Sequence, residues 1–157
     1  MAEIKGFSGE NEFLSNFFIS PMEMIIKGTH FRFRCSETAY QMFKVFSDWK
    51  NPTTGELSRA MAFSIDAFTP GRAKRLGRKI QIDEKYWKSV RVEVMRAVLK
   101  AKFGSPLLRD RLLATGDAYL EETNDWNDTF WGVCNGVGEN MLGKLLMQLR
   151  AEIKERL

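Results

Sequence analysis

The segment between Asp83 and Gly104 carries apolar residues at helical spacing on two faces, and such a helix must be covered on both sides. Asp83 is a favourable N-cap and Gly104 a favourable stop, so the predicted helix runs to about Phe103. The two faces are Trp87, Val90, Val94, Ala97 or Val98, and Ala101 on one side, and Val92, Met95, Leu99 and Phe103 on the other. We therefore expect this helix to lie at the centre of a mostly helical fold.

Proline, glycine and capping residues divide much of the remaining chain into shorter helices. They are predicted over Glu56–Phe63 after a loop at 51–55, from Thr69 and Pro70 to a stop near Gly77, between Ser105 and Gly116, and from about Asn140 to the C-terminus. Two earlier segments, Met22–Ile26 and His30–Arg34, flank a turn that contains Gly28 and are typical of strands. Phe31 and Phe33 alternate there with basic residues, which predicts an antiparallel hairpin with one buried face.

The 157 residues, 44% of them hydrophobic and 12% aromatic, suffice for one domain with a real core. The expected fold class is α+β and mostly helical: a compact single domain over 1–157 with a small N-terminal antiparallel hairpin and a polar leading segment of about residues 1–12. No apolar run has the length of a membrane span and no signal peptide is recognisable, so we expect a cytoplasmic protein.

The cysteines and the histidine exclude several kinds of site. Cys35 and Cys134 lie far apart and are expected to be reduced, and no paired Cys/His spacing suggests zinc. His30, the only histidine, lies in a predicted strand without a partner motif, which argues against a catalytic triad.

Positive charge is concentrated between Arg72 and Lys102, where eleven Lys and Arg residues face three acidic ones. This segment is +8 in a chain of net charge +4. Such an excess favours an anionic partner, either a phosphate group or nucleic acid. The alternative is a pair of helices with solvated basic faces.

Polar residues form a stripe on a helix predicted within Cys35–Asp48, for which Ser36 is a favourable N-cap. Glu37, Gln41, Lys44 and Asp48 recur at spacings of four, three and four. The opposite, apolar face consists of Ala39, Met42, Phe43, Phe46 and Trp49. Spacing alone favours a solvated face; the alternative is a row of catalytic groups lining a cleft.

Two other segments contain polar groups among aromatic residues. Asn16 lies within a cluster of apolar residues, so it either ties down a loop or faces a ligand. Tyr119–Gly138 reads as a long loop with four acidic side chains and two tryptophans, which suits a flat ring that must be stacked and hydrogen-bonded. The alternative is an acidic turn held by Trp131 in the core.

In this order, several motifs resemble the NADAR family over roughly Phe13 to Arg150. They are Ser15-Asn16-Phe17, SETAYQMFK, AKRLGR, YWKSVRVEVMRAVLKAKF, LLATGDAYLEET, DTFWG, and GENMLG leading into LLMQLR. The family often has His after the Glu of the second motif, where this chain has Thr38. The resemblance implies a compact helical fold with a small β element and an enzyme that cleaves the bond between ribose and a nitrogenous ring, without cofactor or metal.

The resemblance and the chemistry of that bond together give the candidate catalytic residues. Glu37 is expected to be the carboxylate at C1′ and Asp128 a second carboxylate. Lys44 would hold a ribose oxygen or phosphate, or form an imine with the ring-opened sugar, a role favoured by resemblance to one branch of the family.

The remaining candidates would bind substrate. Gln41 would orient hydroxyl groups, while Trp87 and Trp131 would stack on the base, although Trp87 also fits the apolar face of its helix. Arg72 and Arg75 are candidates for phosphate, and Asn16 and Asn140 for further ligand contacts, with a helix cap as the alternative for Asn140.

Three functions follow as hypotheses. In the first, the substrates are phosphorylated ribosylaminopyrimidine intermediates of riboflavin biosynthesis. In the second, an ADP-ribosyl-guanine glycohydrolase acts on nucleic acid, which the +8 segment would suit. The third is a non-catalytic module that binds ADP-ribose or NAD.

Overall fold

Capping residues and apolar spacing produce a chain that is helical over most of its length in the computed structural model, which describes residues 2–157. The α-helices are α1 (Ser36–Met42), α2 (Thr54–Asp66), α3 (Pro70–Lys79), α4 (Glu84–Lys102), α5 (Pro106–Ala114) and α6 (Met141–Glu155). Two 3-10 helices cover Gly9–Leu14 and Phe43–Val45. The strands are β1 (Glu3–Lys5), β2 (Met22–Ile26), β3 (Thr29–Phe33), β4 (Tyr119–Glu121), β5 (Thr123–Asn124) and β6 (Val133–Cys134). The prediction of an α+β, mostly helical fold is confirmed.

Backbone contacts group the chain into two compact units. The middle unit is Asn16–Lys102, and the terminal unit joins the described residues up to Ser15 with Phe103–Leu157. The prediction of a single domain over 1–157 stays a prediction. Within residues 2–157, no helix has the length and apolar composition needed to cross a bilayer.

The predicted hairpin is confirmed in the middle unit. Strands β2 and β3 pair antiparallel, with Met22 opposite Phe33, although β3 begins one residue earlier than predicted. Lys27 and Gly28 both have positive φ, of 49° and 80°, which is the backbone that a two-residue hairpin turn of type I′ requires. Phe31 and Phe33 are buried while the residues between and beside them are exposed, as the alternation predicted.

Helix α1 is shorter and more deeply buried than predicted. It ends at Met42 instead of near Asp48, and a 3-10 turn follows it. Because the chain leaves the α-helical conformation here, the rings of Phe46 and Trp49 pack edge-on against Phe43, at centroid distances of 5.6 and 5.8 Å. All seven residues of α1 are buried, so the interpretation of the polar stripe as a solvated face is wrong for Glu37 and Gln41, whereas Asp48, beyond the helix, is exposed.

Helix α4 has the two buried faces that its sequence predicted. Val94 and Val98 lie on one and Met95 and Leu99 on the other, and all four are almost fully buried. The carboxylate of Asp83 accepts a hydrogen bond of 3.1 Å from the backbone N–H of Tyr86, as expected of an N-cap. Within the middle unit, α4 packs against α1 and β2.

Helix α2 begins earlier than predicted because Thr53 and Glu56 form a capping box that the sequence reading missed. The Glu56 carboxylate accepts N–H bonds of 3.0 Å from Thr53 and from Ser47, while Thr53 Oγ1 accepts one from the Glu56 N–H. Burial alone would raise the pKa of Glu56, but these backbone N–H groups and the charge of Arg59 hold that pKa below its ordinary value of 4.5.

Replacing Glu56 with alanine should lower the free energy of unfolding by about 2–3 kcal/mol. The backbone N–H groups of Ser47 and Thr53 would lose their acceptor, and α2 would lose its capping box. Since the pKa of Glu56 is lowered, its contribution is complete above pH 4.5 and fades as the pH falls through the folded-state pKa. The difference from wild type in urea titrations should therefore shrink in acid. Glu93→Ala, at an exposed site of α4, is the control, and an equal loss in both variants would contradict the prediction.

The terminal unit is built around α6 and the short strands. Strand β4 pairs parallel with β1, and α6 packs on β4. The close approach depends on Gly143, since a Cβ at this position would lie 2.1 Å from the Leu120 carbonyl oxygen. The predicted long loop over Tyr119–Gly138 is instead divided by three strands, with β5 parallel to β6.

Candidate active site

Glu37 and Gln41 form a buried hydrogen-bonded pair in the middle unit. They lie one turn apart on α1, and Gln41 Nε2 donates to Glu37 Oε1 at 2.9 Å. Only 8% of Glu37 and 6% of Gln41 are exposed, so the carboxylate lies out of bulk water. Glu37 lies in the first turn of α1, at the positive end of the helix dipole.

Asn16 holds the start of α1 in place. Its backbone oxygen accepts the Glu37 N–H at 3.0 Å, and its side-chain Oδ1 accepts from Ser36 Oγ at 2.8 Å. The predicted N-cap at Ser36 is therefore off by one: Cys35 occupies that position, and Ser36 bonds to Asn16 instead. Asn16 Nδ2 also approaches Met95 Sδ at 3.6 Å. These contacts are what a loop-tying role requires; a ligand contact by Asn16 stays a prediction.

Lys44 lies half-buried just beyond α1, in the electrostatic field of Glu37. Burial is the main cause that lowers the pKa of Lys44 below 10.5; the charges of Glu37 and Glu84 raise it, and Arg78 lowers it. Its Nζ lies 5.9 Å from the centroid of the Trp87 ring. A cation, a carboxylate and an aromatic ring therefore come together here.

Trp87 belongs to the core of the middle unit and also borders this group. It is 6% exposed, and its ring centroid lies 5.3 Å from that of Tyr40. The burial agrees with the core alternative for Trp87. Stacking on a base stays a prediction.

Arg72 and Arg75 lie on the exposed side of α3, which Thr69 caps as predicted. The guanidinium of Arg72 is engaged by Asp66, with bonds of 2.7 Å to its backbone oxygen and 2.5 Å to its carboxylate. Phosphate binding by Arg72 would have to compete with this pair. For Arg75 it stays a prediction.

Asp128 and Trp131 meet in a turn of the terminal unit. Asp128 Oδ1 accepts the backbone N–H groups of Trp131 at 2.9 Å and of Phe130 at 3.2 Å. The Trp131 ring packs edge-on against Phe130 at 4.8 Å. The carboxylate thus shapes the turn, as Asp side chains commonly do. Its catalytic role stays a prediction.

Asn140 connects α6 to β4. It occupies the N-cap position of α6, as the helix-cap alternative predicted, with φ of 52°, although its side chain makes no capping bond. Its Oδ1 accepts the Glu122 N–H at 3.0 Å, and its Nδ2 donates to the Leu120 oxygen at 2.9 Å and to Tyr119 Oη at 3.3 Å. Asn140 is buried, and a ligand contact by it stays a prediction.

The site has neighbours that sequence reasoning missed. Glu84 and Arg78 act on the charge of Lys44, and Gly77 lies against Gln41. One signal was present: Glu84 precedes Trp87 by three residues on α4, which places them on one face.

A cavity of about 610 Å³ in the middle unit lies away from these residues and is lined by Val45, Arg59, Ala62, Phe63, Asp66, Ile80 and Gln81. Among residues 2–157, no three His, Cys, Asp or Glu side chains lie close enough to share a metal ion.

Comparison with known proteins shows the family of this chain. The model of the NADAR domain matches residues 6–154. A riboflavin biosynthesis protein of Vibrio vulnificus is 37% identical over 147 residues, which is 91% of this chain but only 36% of that protein. The N-glycosidase YbiA of Escherichia coli K12 is 33% identical over 150 residues, covering 84% of this chain and 93% of YbiA.

The fold agrees with these matches. The NMR structure of E. coli YbiA superimposes with a TM-score of 0.78 at 32% sequence identity, covering 99% of this chain and 86% of the other. The domain model covers nearly the whole chain, and YbiA, at 33% identity, is matched over 93% of its own length. Together these matches establish family membership. The chain belongs to the NADAR family.

Proposed function

We propose that this chain is an N-glycosidase, a hydrolase that cleaves the ribosyl–nitrogen bond of phosphorylated ribosylaminopyrimidine intermediates of riboflavin biosynthesis. Relatives named N-glycosidase and riboflavin biosynthesis protein support the reaction and its metabolic setting. The observation that carries the proposal is the buried Glu37 carboxylate, held by Gln41 and electrostatically coupled to Lys44. Catalytic sites commonly hold a buried carboxylate in the electrostatic field of a lysine whose pKa is lowered by burial.

Hydrolysis of such a bond builds positive charge on C1′ and negative charge on the leaving nitrogen. Glu37 stabilises the oxocarbenium-like carbon or takes a proton from the attacking water. The water oxygen bonds to C1′ as the C1′–N bond breaks, and the departing nitrogen receives a proton, which Lys44 can supply in its charged form. Gln41 keeps one oxygen of Glu37 occupied, so that a defined second oxygen faces the sugar.

The other predicted residues complete the proposal. Trp87, Trp131 or both stack on the pyrimidine. Arg75 and, after release from Asp66, Arg72 bind the phosphate. Asn16, Asn140 and Asp128 are assigned further substrate contacts, with Asp128 as second carboxylate. No metal or cofactor takes part in this scheme.

The substrate is tested by incubating the protein with ribosylaminopyrimidine phosphates and reading the products by mass spectrometry. Release of ribose 5-phosphate together with the free aminopyrimidine is expected, with oxygen from labelled water at C1′. Ribosylaminopyrimidines whose ribose carries no phosphate should react more slowly than the phosphorylated ones. Absence of turnover over the whole panel would reject this substrate class.

A second candidate is removal of ADP-ribose from guanine bases in nucleic acid. The +8 segment favours it, because exposed basic residues such as Arg75, Arg78 and Lys79 follow one another along α3. Oligonucleotides that carry ADP-ribosylated guanine provide the test. Cleavage there without turnover of the free pyrimidine would replace the first candidate, and turnover of the pyrimidine alone would reject the second.

The third candidate is a non-catalytic module for ADP-ribose or NAD. It predicts tight binding without product, and binding that survives Glu37→Gln. Calorimetry with ADP-ribose beside the product assay separates it from both enzymes.

A further inference from the structure

Gly77 lies inside helix α3, two residues before its end at Lys79. Glycine in a helix interior lowers stability relative to alanine, so its presence there needs a reason. The backbone supplies none, because Gly77 does not belong to the glycines with positive φ. Helix α3 ends at Lys79, two residues past the predicted stop near Gly77.

The reason lies in the packing of α3 on α1. A Cβ at position 77 would come within 2.0 Å of Gln41 Oε1, 2.7 Å of Gln41 Cδ and 3.1 Å of Gln41 Cβ. The carboxamide of Gln41 therefore rests directly on the helix backbone where the side chain is missing. The nearest atoms all belong to Gln41, so any larger residue must displace this one side chain.

Gln41 is held in an orientation that serves Glu37. Its Nε2 donates to Glu37 Oε1, whereas its own Oε1 has no hydrogen-bond partner although the residue is 94% buried. Exchanging the amide oxygen and nitrogen would turn a carbonyl toward the carboxylate and break the hydrogen bond from Gln41 to Glu37. A buried oxygen without a partner is unfavourable, and the arrangement tolerates it while keeping the donor on Glu37.

We propose that Gly77 is a positioning residue: the space over its Cα seats the Gln41 carboxamide, which in turn fixes the carboxylate of Glu37. This inference rests on the proposed function, in which Glu37 acts at C1′. Gly77 touches no substrate in this scheme. It acts through Gln41 alone, so its effect must disappear when the Gln41 side chain is removed.

The first test is a double-mutant cycle of Gly77→Ala and Gln41→Ala, with kcat and KM measured on ribosylaminopyrimidine phosphates. Gly77→Ala should lower kcat by about 100-fold with KM changed less than about threefold, because a small displacement of a catalytic group acts on the chemical step. In the Gln41→Ala background the same change should lower kcat by less than about threefold. A merely structural role would reduce the folded fraction equally in both backgrounds and leave kcat per folded molecule unchanged.

Gly71→Ala is the matched control in the same helix. A Cβ there meets only Arg75 Nη1, at the ordinary contact distance of 3.6 Å. We expect kcat and the urea midpoint of this variant to stay at or above wild-type values. A loss of kcat in Gly71→Ala equal to that of Gly77→Ala would overturn the inference, since any alanine in α3 would then act alike.

The second test does not depend on activity. The side-chain NH₂ signals of Gln41 in a ¹H–¹⁵N spectrum are assigned by their absence in Gln41→Ala. They should shift in Gly77→Ala and stay in place in Gly71→Ala. If the wild type turns over none of the substrates, the proposed function fails, while these signals still decide whether Gly77 seats Gln41. Unchanged Gln41 signals in Gly77→Ala would reject the inference, with or without turnover.

Discussion

Glu37→Gln is expected to lower kcat for ribose 5-phosphate release by about 1,000-fold or more, because the charge that stabilises the oxocarbenium-like carbon is lost. The substitution keeps the shape of the side chain. Its carbonyl oxygen can still accept the Gln41 Nε2–H bond, and its backbone N–H still bonds to Asn16. The variant should therefore fold normally.

The unfolding free energy separates a catalytic carboxylate from a structural one. A carboxylate buried to 92% and kept for chemistry lowers stability, so Glu37→Gln should unfold at the same or a higher urea concentration than wild type. Glu93→Gln, at an exposed position of α4, is the control for both measurements. Turnover by Glu37→Gln within about tenfold of wild type would remove Glu37 from the mechanism.

Long periodic segments of this chain were predictable from sequence. The two faces of α4 and the alternation of Phe31 and Phe33 are set by burial of many apolar residues, and such burial dominates the energy of a fold. Helix ends were less predictable, because they depend on single hydrogen bonds. Thr53 and Glu56 are a recognisable pair in hindsight, whereas the end of α1 at Met42 follows from ring packing around Phe43.

The residues of the candidate site were predicted from the resemblance to family motifs, whereas the spacing of polar residues alone favoured a solvated surface. Amphipathic patterning assigns polar residues to water, and Glu37 and Gln41 break this rule because Gln41 donates a hydrogen bond to the Glu37 carboxylate in the interior. Hydropathy does not indicate this burial, because a glutamate and a glutamine one helical turn apart have the same pattern on a solvated face. The role of Gly77 was hidden for the same reason: its partner lies on another helix, 36 residues earlier.

Replacing Lys44 distinguishes covalent imine formation by its amine from a purely electrostatic role of its charge. If the Lys44 amine bonds covalently to C1′ of the ring-opened sugar, both Lys44→Arg and Lys44→Met should lose about 1,000-fold or more in kcat. If only its charge is needed, Lys44→Arg should stay within about tenfold of wild type while Lys44→Met does not. Borohydride should trap an adduct with the wild type and none with either variant in the covalent case. Lys50→Ala is a matched control, since Lys50 also lies over a tryptophan ring, 5.5 Å from Trp49.

The pH dependence of trapping tests whether the environment of Lys44 is what makes its amine available. Burial lowers the pKa of Lys44, so trapping should rise with pH and reach half its maximum below 10.5. The charge of Glu84 raises this pKa and that of Arg78 lowers it, so Glu84→Gln should move the midpoint to lower pH and Arg78→Gln to higher pH. Because the two changes remove charges of opposite sign around one amine, shifts in the same direction would contradict the assignment of the trapped group to Lys44.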